Sequence, residues 1–205
     1  MGVVATDDFN RANGSAGSNW STQSSYTILT ITSNKIQSVA GVDYAGTYNA
    51  ANAGTDDMYA KIDVTVGTSN GTEDVIVACR LTNDGNETGY FGDDPSYASV
   101  IWTLSRATNS AFTTLATGGA GASTVGTRSL EIRAIGTTIS LRVAGSQVAS
   151  VTDSTHSGAS KRFGGCHVYS DNTNDCSLDN FEMGNFLTTA PPPPRRSMRN
   201  LMRRS

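Results

Sequence analysis

Histidine is nearly absent from these 205 residues: His156 and His167 are the only two. No G-x-S-x-G segment accompanies them, so the chain lacks the nucleophile-and-base pattern of a serine or cysteine hydrolase. Cysteine is scarce as well. Cys79, Cys166 and Cys176 make an odd set without C-x-x-C spacing, which does not fit a zinc site. No run approaches the roughly 20 consecutive apolar residues of a membrane span, so a membrane partner is not expected. The opening residues 1–8 lack the basic and apolar stretches of an export signal, and the expectation is a soluble chain with reduced cysteines. Cys166 and Cys176 flank a turn-like segment at 171–174, and a cross-strand disulfide would fit if their Cα atoms came within about 7 Å. Aromatic residues are 7% of the chain and charged residues 16%, and helical periodicity is nearly missing from the first 190 residues.

What is abundant is turn and strand material. There are 21 glycines, and Ser and Thr supply about a quarter of the residues. Period-two alternation and β-branched runs predict strands at 26–32, 35–38, 44–48, 58–66, 74–81, 90–91, 99–106, 112–116, 128–134, 138–143, 146–152, 162–169 and 177–185. So many short strands need two packed sheets, since one open sheet that wide would curl or split. The clearest stretch is 130–151, where Leu130, Ile132 and Ala134, then Ile139, Leu141 and Val143, alternate with polar residues. Gly136 and Gly145 supply its turns, which predicts a three-strand meander. The fold class expected is all-β: a two-sheet antiparallel β-sandwich followed by an extended Pro/Arg-rich tail.

Charge divides at the proline run 191–194. Residues 1–190 hold ten basic and 18 acidic side chains, a net of −8, whereas 195–205 hold five arginines and no acid. The predicted organisation is a body at 1–190 and a linker and basic tail at 191–205. The prolines favour a stiff polyproline II spacer. Beyond them Met198, Leu201 and Met202 fall at helical spacing, among Arg195, Arg196, Arg199, Arg203 and Arg204. Eleven residues are too few for a stable isolated helix, so these eight side chains read as an anchor that orders on an acidic partner. Nucleic acid is disfavoured as that partner, because a body at −8 repels phosphate.

Catalytic constellations are lacking. The pairs at 7–8, 56–57 and 93–94 each place adjacent carboxylates on opposite sides of an extended strand, unlike the facing pair of a glycosidase, and no catalysis is expected. Gly118 to Ala122 has no following lysine and reads as a loop rather than a phosphate cradle. Trp20, Trp102, Tyr90, Phe91, Tyr97 and Tyr169 could build a sugar-stacking platform, although most suit a core. The segment 90–97 stands apart: Tyr90, Asp93, Asp94 and Tyr97 make it a candidate contact loop for a ligand or partner. Asp8 and Asp179, with Asn10, Asn180 and Glu182 close in sequence, are oxygen donors of the kind calcium prefers.

The opening Asp7-Asp8-Phe9-Asn10-Arg11, with Gly14, Gly17 and Trp20, resembles the D-x-F-N-R-x-x-G-x-x-G-x-x-W start of concanavalin A-like, laminin G-like jelly-roll domains. Such domains are common in bacteriophage virion proteins and occur in bacterial carbohydrate-binding proteins. The strand-turn-strand at 138–148 and the closing Asp179-Asn180-Phe181 are similar to that superfamily's later strands, so the resemblance spans 7–186. It implies that the first strand pairs beside the last, bringing Asp8 near Asp179 and placing a calcium ion between them. It also implies a virion structural protein, such as a capsid decoration protein. Its expected partners are a phage major capsid or tail protein, further copies of itself on a symmetric lattice, and a host glycan. That protein would assemble in the host cytoplasm and reside at the particle surface. The alternative implied is a carbohydrate-binding module or adhesin.

Overall fold

The computed structural model describes residues 1–67, 73–95, 101–119 and 125–186. Tyr97 and the anchor residues Arg195, Arg196, Met198, Arg199, Leu201, Met202, Arg203 and Arg204 lie outside the described residues.

Among the described residues sixteen strands form in chain order. They are β1 (Gly2–Asp7), β2 (Gly14–Ser15), β3 (Trp20–Thr22), β4 (Thr30–Thr32), β5 (Lys35–Gln37), β6 (Tyr44–Tyr48), β7 (Met58–Val66) and β8 (Asp74–Leu81). There follow β9 (Gly89–Pro95), β10 (Trp102–Thr108), β11 (Ala111–Gly118), β12 (Gly126–Ile135), β13 (Thr138–Val143), β14 (Ser146–Thr152), β15 (Phe163–Tyr169) and β16 (Cys176–Asn185). The side-chain pattern explains the longer ones. In β7, buried Ala60, Ile62 and Val64 alternate with half-buried Lys61, Asp63 and Thr65, so one face meets the core and the other meets solvent.

The strands build two sheets. The nine-stranded sheet runs β14-β13-β12-β7-β16-β5-β4-β2, with β1 also paired to β16; the seven-stranded sheet runs β11-β10-β9-β8-β15-β6-β3. Their facing sides enclose a core that includes Leu29, Ile62, Val77, Tyr90, Leu104, Leu130, Leu141 and Phe181. This is an all-β, two-sheet antiparallel β-sandwich, as the sequence predicts. The meander forms as expected, with Ala144 at φ 46° and Gly145 at φ 80° closing the β13–β14 turn.

Several local expectations change. Residues 92–95 continue strand β9 instead of forming a loop, because Asp93 pairs with Ile76 on one side and Thr103 on the other. The predicted strand at 26–32 shortens to β4, and β2 and β3 were not foreseen, whereas β1 pairs beside β16 as the resemblance implies. Cys166 and Cys176 belong to different sheets, so 171–174 is part of a crossover and not a hairpin turn; all three cysteines are free and buried.

Candidate functional site

The outer face of the seven-stranded sheet carries a depression whose side chains come from distant parts of the chain. Antiparallel register sets His167 beside Ile76, and Ile76 beside Asp93, so these three point the same way in one row across β15, β8 and β9. Two residues along β8, Asp74 joins them, and Phe91 does so along β9. Ile76 and Phe91 make the floor, as part of a second apolar cluster with Ala78, Leu81 and Ala107. The turn containing Glu87 forms one wall, held by Ser24 N donating to Gly85 O at 2.5 Å and Ser110 N donating to Glu87 O at 3.0 Å. Tyr26, hydrogen-bonded to Glu87, stands on this wall with its ring 5.3 Å from that of His167. Phe112 completes the rim: its ring packs at a tilt of 59° against Phe91, 5.0 Å between centroids, and remains 48% exposed. The enclosed volume is about 270 Å³.

Acidic groups dominate this cavity. Asp43, Asp74, Glu87 and Asp93 line it together with one imidazole, and among the described residues no lysine or arginine does. His167 Nε2 is hydrogen-bonded to Asp43, and its Nδ1 lies 3.9 Å from Asp74 Oδ2. Burial opposes the imidazolium, but the hydrogen bond to Asp43 and the nearby carboxylates outweigh it, raising the pKa of His167. Asp93 is pushed well above the usual carboxylate range, by burial first and then by Asp74, its diagonal neighbour on β8. Oδ1 of Asp74 and Oδ1 of Asp93 are both buried without a hydrogen-bond donor. A carboxyl pair in this state holds a proton between its members more readily than two full charges.

The candidate segment 90–97 is thus split by the strand alternation. Asp93 faces the depression. Tyr90 is fully buried in the core, its hydroxyl donating to Asp153 Oδ1 at 2.6 Å. Asp94 points inward, where Arg128 Nε donates to it at 2.6 Å, although burial still pushes its carboxyl up to about 6. Trp20 and Trp102 are core residues at 3% exposure. Asp43, Asp74 and His167 escaped the sequence reading, because only the lateral order of strands brings them together.

Asp8 and Asp179 meet at the other cavity of interest. β16 pairs with β5 through Ser177 and Leu178 and with β1 from Phe181 onward, so β1 and β5 lie end to end along one edge. At the junction β16 bulges, with Asn180 at φ 50°. Asp8, Asn10, Asn34, Asp179 and Asn180 line a cavity of about 280 Å³ there. Burial raises the pKa of Asp179, and the charges of Asp63 and Asp8 raise it further. These donors are all oxygen-bearing, which suits calcium chemistry, yet among the described residues no group of three or more His, Cys, Asp or Glu is arranged to hold a metal ion. Glu182 turns elsewhere and accepts the Tyr59 hydroxyl at 2.6 Å.

No protein family's sequence profile and no curated protein sequence matches the chain. Solved structures do match its fold. The carbohydrate binding module CBM66 from Bacillus subtilis aligns with 83% of this chain and 96% of its own, at 18% identity and a TM-score of 0.56. The CBM2 module of the evolved Dit of Lactobacillus casei BL23 phage J-1 aligns over 88% and 94%, at 14% identity and a TM-score of 0.58. The exoplasmic/lumenal domain of VIP36, in a form bound to Ca²⁺ and Man3GlcNAc, aligns over 85% and 86%, at 13% identity and a TM-score of 0.61. The likeness is that of a jelly-roll, lectin-like β-sandwich.

Proposed function

We propose that this chain is a glycan-binding β-sandwich that seats one sugar residue in the depression on the outer face of its seven-stranded sheet. The observation that carries the reading is the half-exposed Phe112 at the rim of a cavity with an apolar floor and convergent carboxyl groups. A pyranose ring offers an apolar face that stacks on an aromatic side chain, and hydroxyls that donate to carboxylates; the cavity presents both in about the volume of one sugar. Tyr26 and Glu87 form the wall that restricts water, while His167, held by Asp43, presents a second polar group on the floor. The function is binding without catalysis. The neighbours named as a carbohydrate binding module and as a mannose-oligosaccharide complex support the reading. A glycan array followed by calorimetry tests it: Phe112→Ala should weaken binding of the selected sugar at least about tenfold, and an array with no hit would reject the reading.

A second reading, compatible with the first, is that the body is displayed on a bacteriophage particle as a capsid decoration or tail protein. The module of the phage J-1 Dit supports it, as does the opposite charge of the body and the 191–205 segment. In this reading Arg195, Arg196, Met198, Arg199, Leu201, Met202, Arg203 and Arg204 dock on an acidic capsid or tail protein, and many copies on a symmetric lattice let weak contacts add. Mass spectrometry of purified particles carrying the full chain or the 191–205 deletion tests it, since the deletion should be lost from particles. Calcium between Asp8 and Asp179 is proposed with either reading, where it would tie the first and last strands.

A further inference from the structure

The charge of the depression narrows the class of sugar. Of its four carboxyl groups among the described residues, Asp43 is matched by His167; Asp74, Asp93 and Glu87 meet no lysine or arginine of the described lining. Asp74 and Asp93 are diagonal neighbours on β8 and β9, with one buried oxygen apiece that lacks a donor. Two carboxyls so placed are short of hydrogen; a shared proton or a hydroxyl supplies it, but a cation bearing N–H groups supplies hydrogen and counter-charge together. The His167 imidazole is 3.9 Å from Asp74, too far to hydrogen-bond to it. An ammonium has three donors and one positive charge, and the adjoining aromatic rims of Phe112 and Tyr26 favour a cation as well as a sugar ring. A uronate, a sialic acid or a sugar phosphate would meet carboxylates without a counter-charge.

We infer that the sugar taken by this depression carries a free ammonium group, as an unacetylated hexosamine does, with the ammonium seated at Asp74, Asp93 and Glu87 and the ring against Phe112. The inference rests on the glycan-binding reading of the same site and deepens it to a substrate class. The natural target is then a surface polysaccharide with free amines, and acetylation of those amines would abolish recognition.

Chemical-shift titration of the full chain tests this with glucosamine, galactosamine and mannosamine, each beside its N-acetyl derivative and its parent hexose. At least one hexosamine should bind about tenfold or more tightly than both of its neutral counterparts, the scale of a charge-assisted hydrogen bond. That preference should fall with added salt and vanish in Asp93→Asn, whereas Phe112→Ala should weaken charged and neutral sugars alike. Neutral sugars binding as tightly as the amines, with Phe112→Ala still weakening them, would overturn the inference and leave the glycan site standing. Absence of binding by all nine sugars together with an empty glycan array would overturn both. A synthetic 191–205 peptide that shifts the same resonances while no hexosamine does would also overturn it, in favour of a basic peptide.

Discussion

The indole Nε1 of Trp20 donates a 2.7 Å hydrogen bond to Oδ2 of Asp7, thirteen residues earlier, and so folds the opening segment back onto the end of β1. Asp7 also accepts from Phe9 N at 2.9 Å and from Arg11 Nη1 at 2.6 Å. The Trp20 ring meets Tyr48 edge-on at 5.3 Å and Phe181 at 4.9 Å, which ties the segment to both sheets. Four residues of the opening motif, Asp7, Phe9, Arg11 and Trp20, thus form one structural clip.

Removing that bond tests the clip. Trp20→Phe keeps most of the ring contact but deletes the donor, and should cost about 1–2 kcal/mol in urea unfolding. Asp7→Ala should cost more, about 2–3 kcal/mol, because it leaves the buried Trp20 indole N–H without an acceptor and also removes the bond to Phe9 N. Burial works against the Asp7 carboxylate, but its bonds from Arg11, Trp20 and Phe9 lower its pKa below the ordinary 3.8. Its stabilisation is therefore present above about pH 4 and is lost as pH falls below that value. Acid unfolding of Asp7→Asn should be correspondingly shallower there.

Asp93 has the opposite sign. Its pKa is raised in the folded state, so its favourable contribution exists below the unfolded value near 4 and is lost as pH rises through the folded one. Asp93→Asn should leave the melting temperature at pH 4 little changed and raise it at pH 7. An unchanged or lowered melting temperature at pH 7 would contradict the carboxyl pairing with Asp74.

The two histidines should titrate on opposite sides of 6.5. Burial lowers the pKa of His156, helped by Lys161, whose Nζ lies 3.3 Å from His156 Nδ1; Asp153 opposes and Arg106 assists. The cost of charging His156 lowers stability as pH falls from about 6.5, whereas the His167–Asp43 pair stabilises fully below 6.5 and loses its effect as pH rises through its raised pKa. Two imidazole resonances in a proton NMR titration, assigned with His156→Gln, measure both directions at once.

Calcium should raise the melting temperature of the unaltered chain, and chelator should reverse the rise. Asp8→Asn and Asp179→Asn should each abolish the response. Asp179→Asn should also show a higher calcium-free melting temperature near neutral pH, because it removes a carboxylate that Asp63 and Asp8 disfavour. A melting curve indifferent to both calcium and chelator removes the ion from the account.

The sequence by itself determined what depends on near neighbours along the chain. Alternation in 130–151 selected strands and their buried faces, Gly145 marked the turn that needs positive φ, and the adjacent Asp93 and Asp94 were bound to emerge on opposite faces. Strand count then called for two sheets. Which strand lies beside which was decided only in the tertiary structure. Asp43 and His167 are separated by 124 positions, and Ile76 stands between His167 and Asp93 only because β15, β8 and β9 pair in that order and register. The physical reason is that backbone alternation is a local property with period two, while lateral order is set by the packing and pairing free energy of the whole sandwich. The acidic depression is a product of that second level, which is why Asp93 alone of its carboxyl groups was singled out from the sequence.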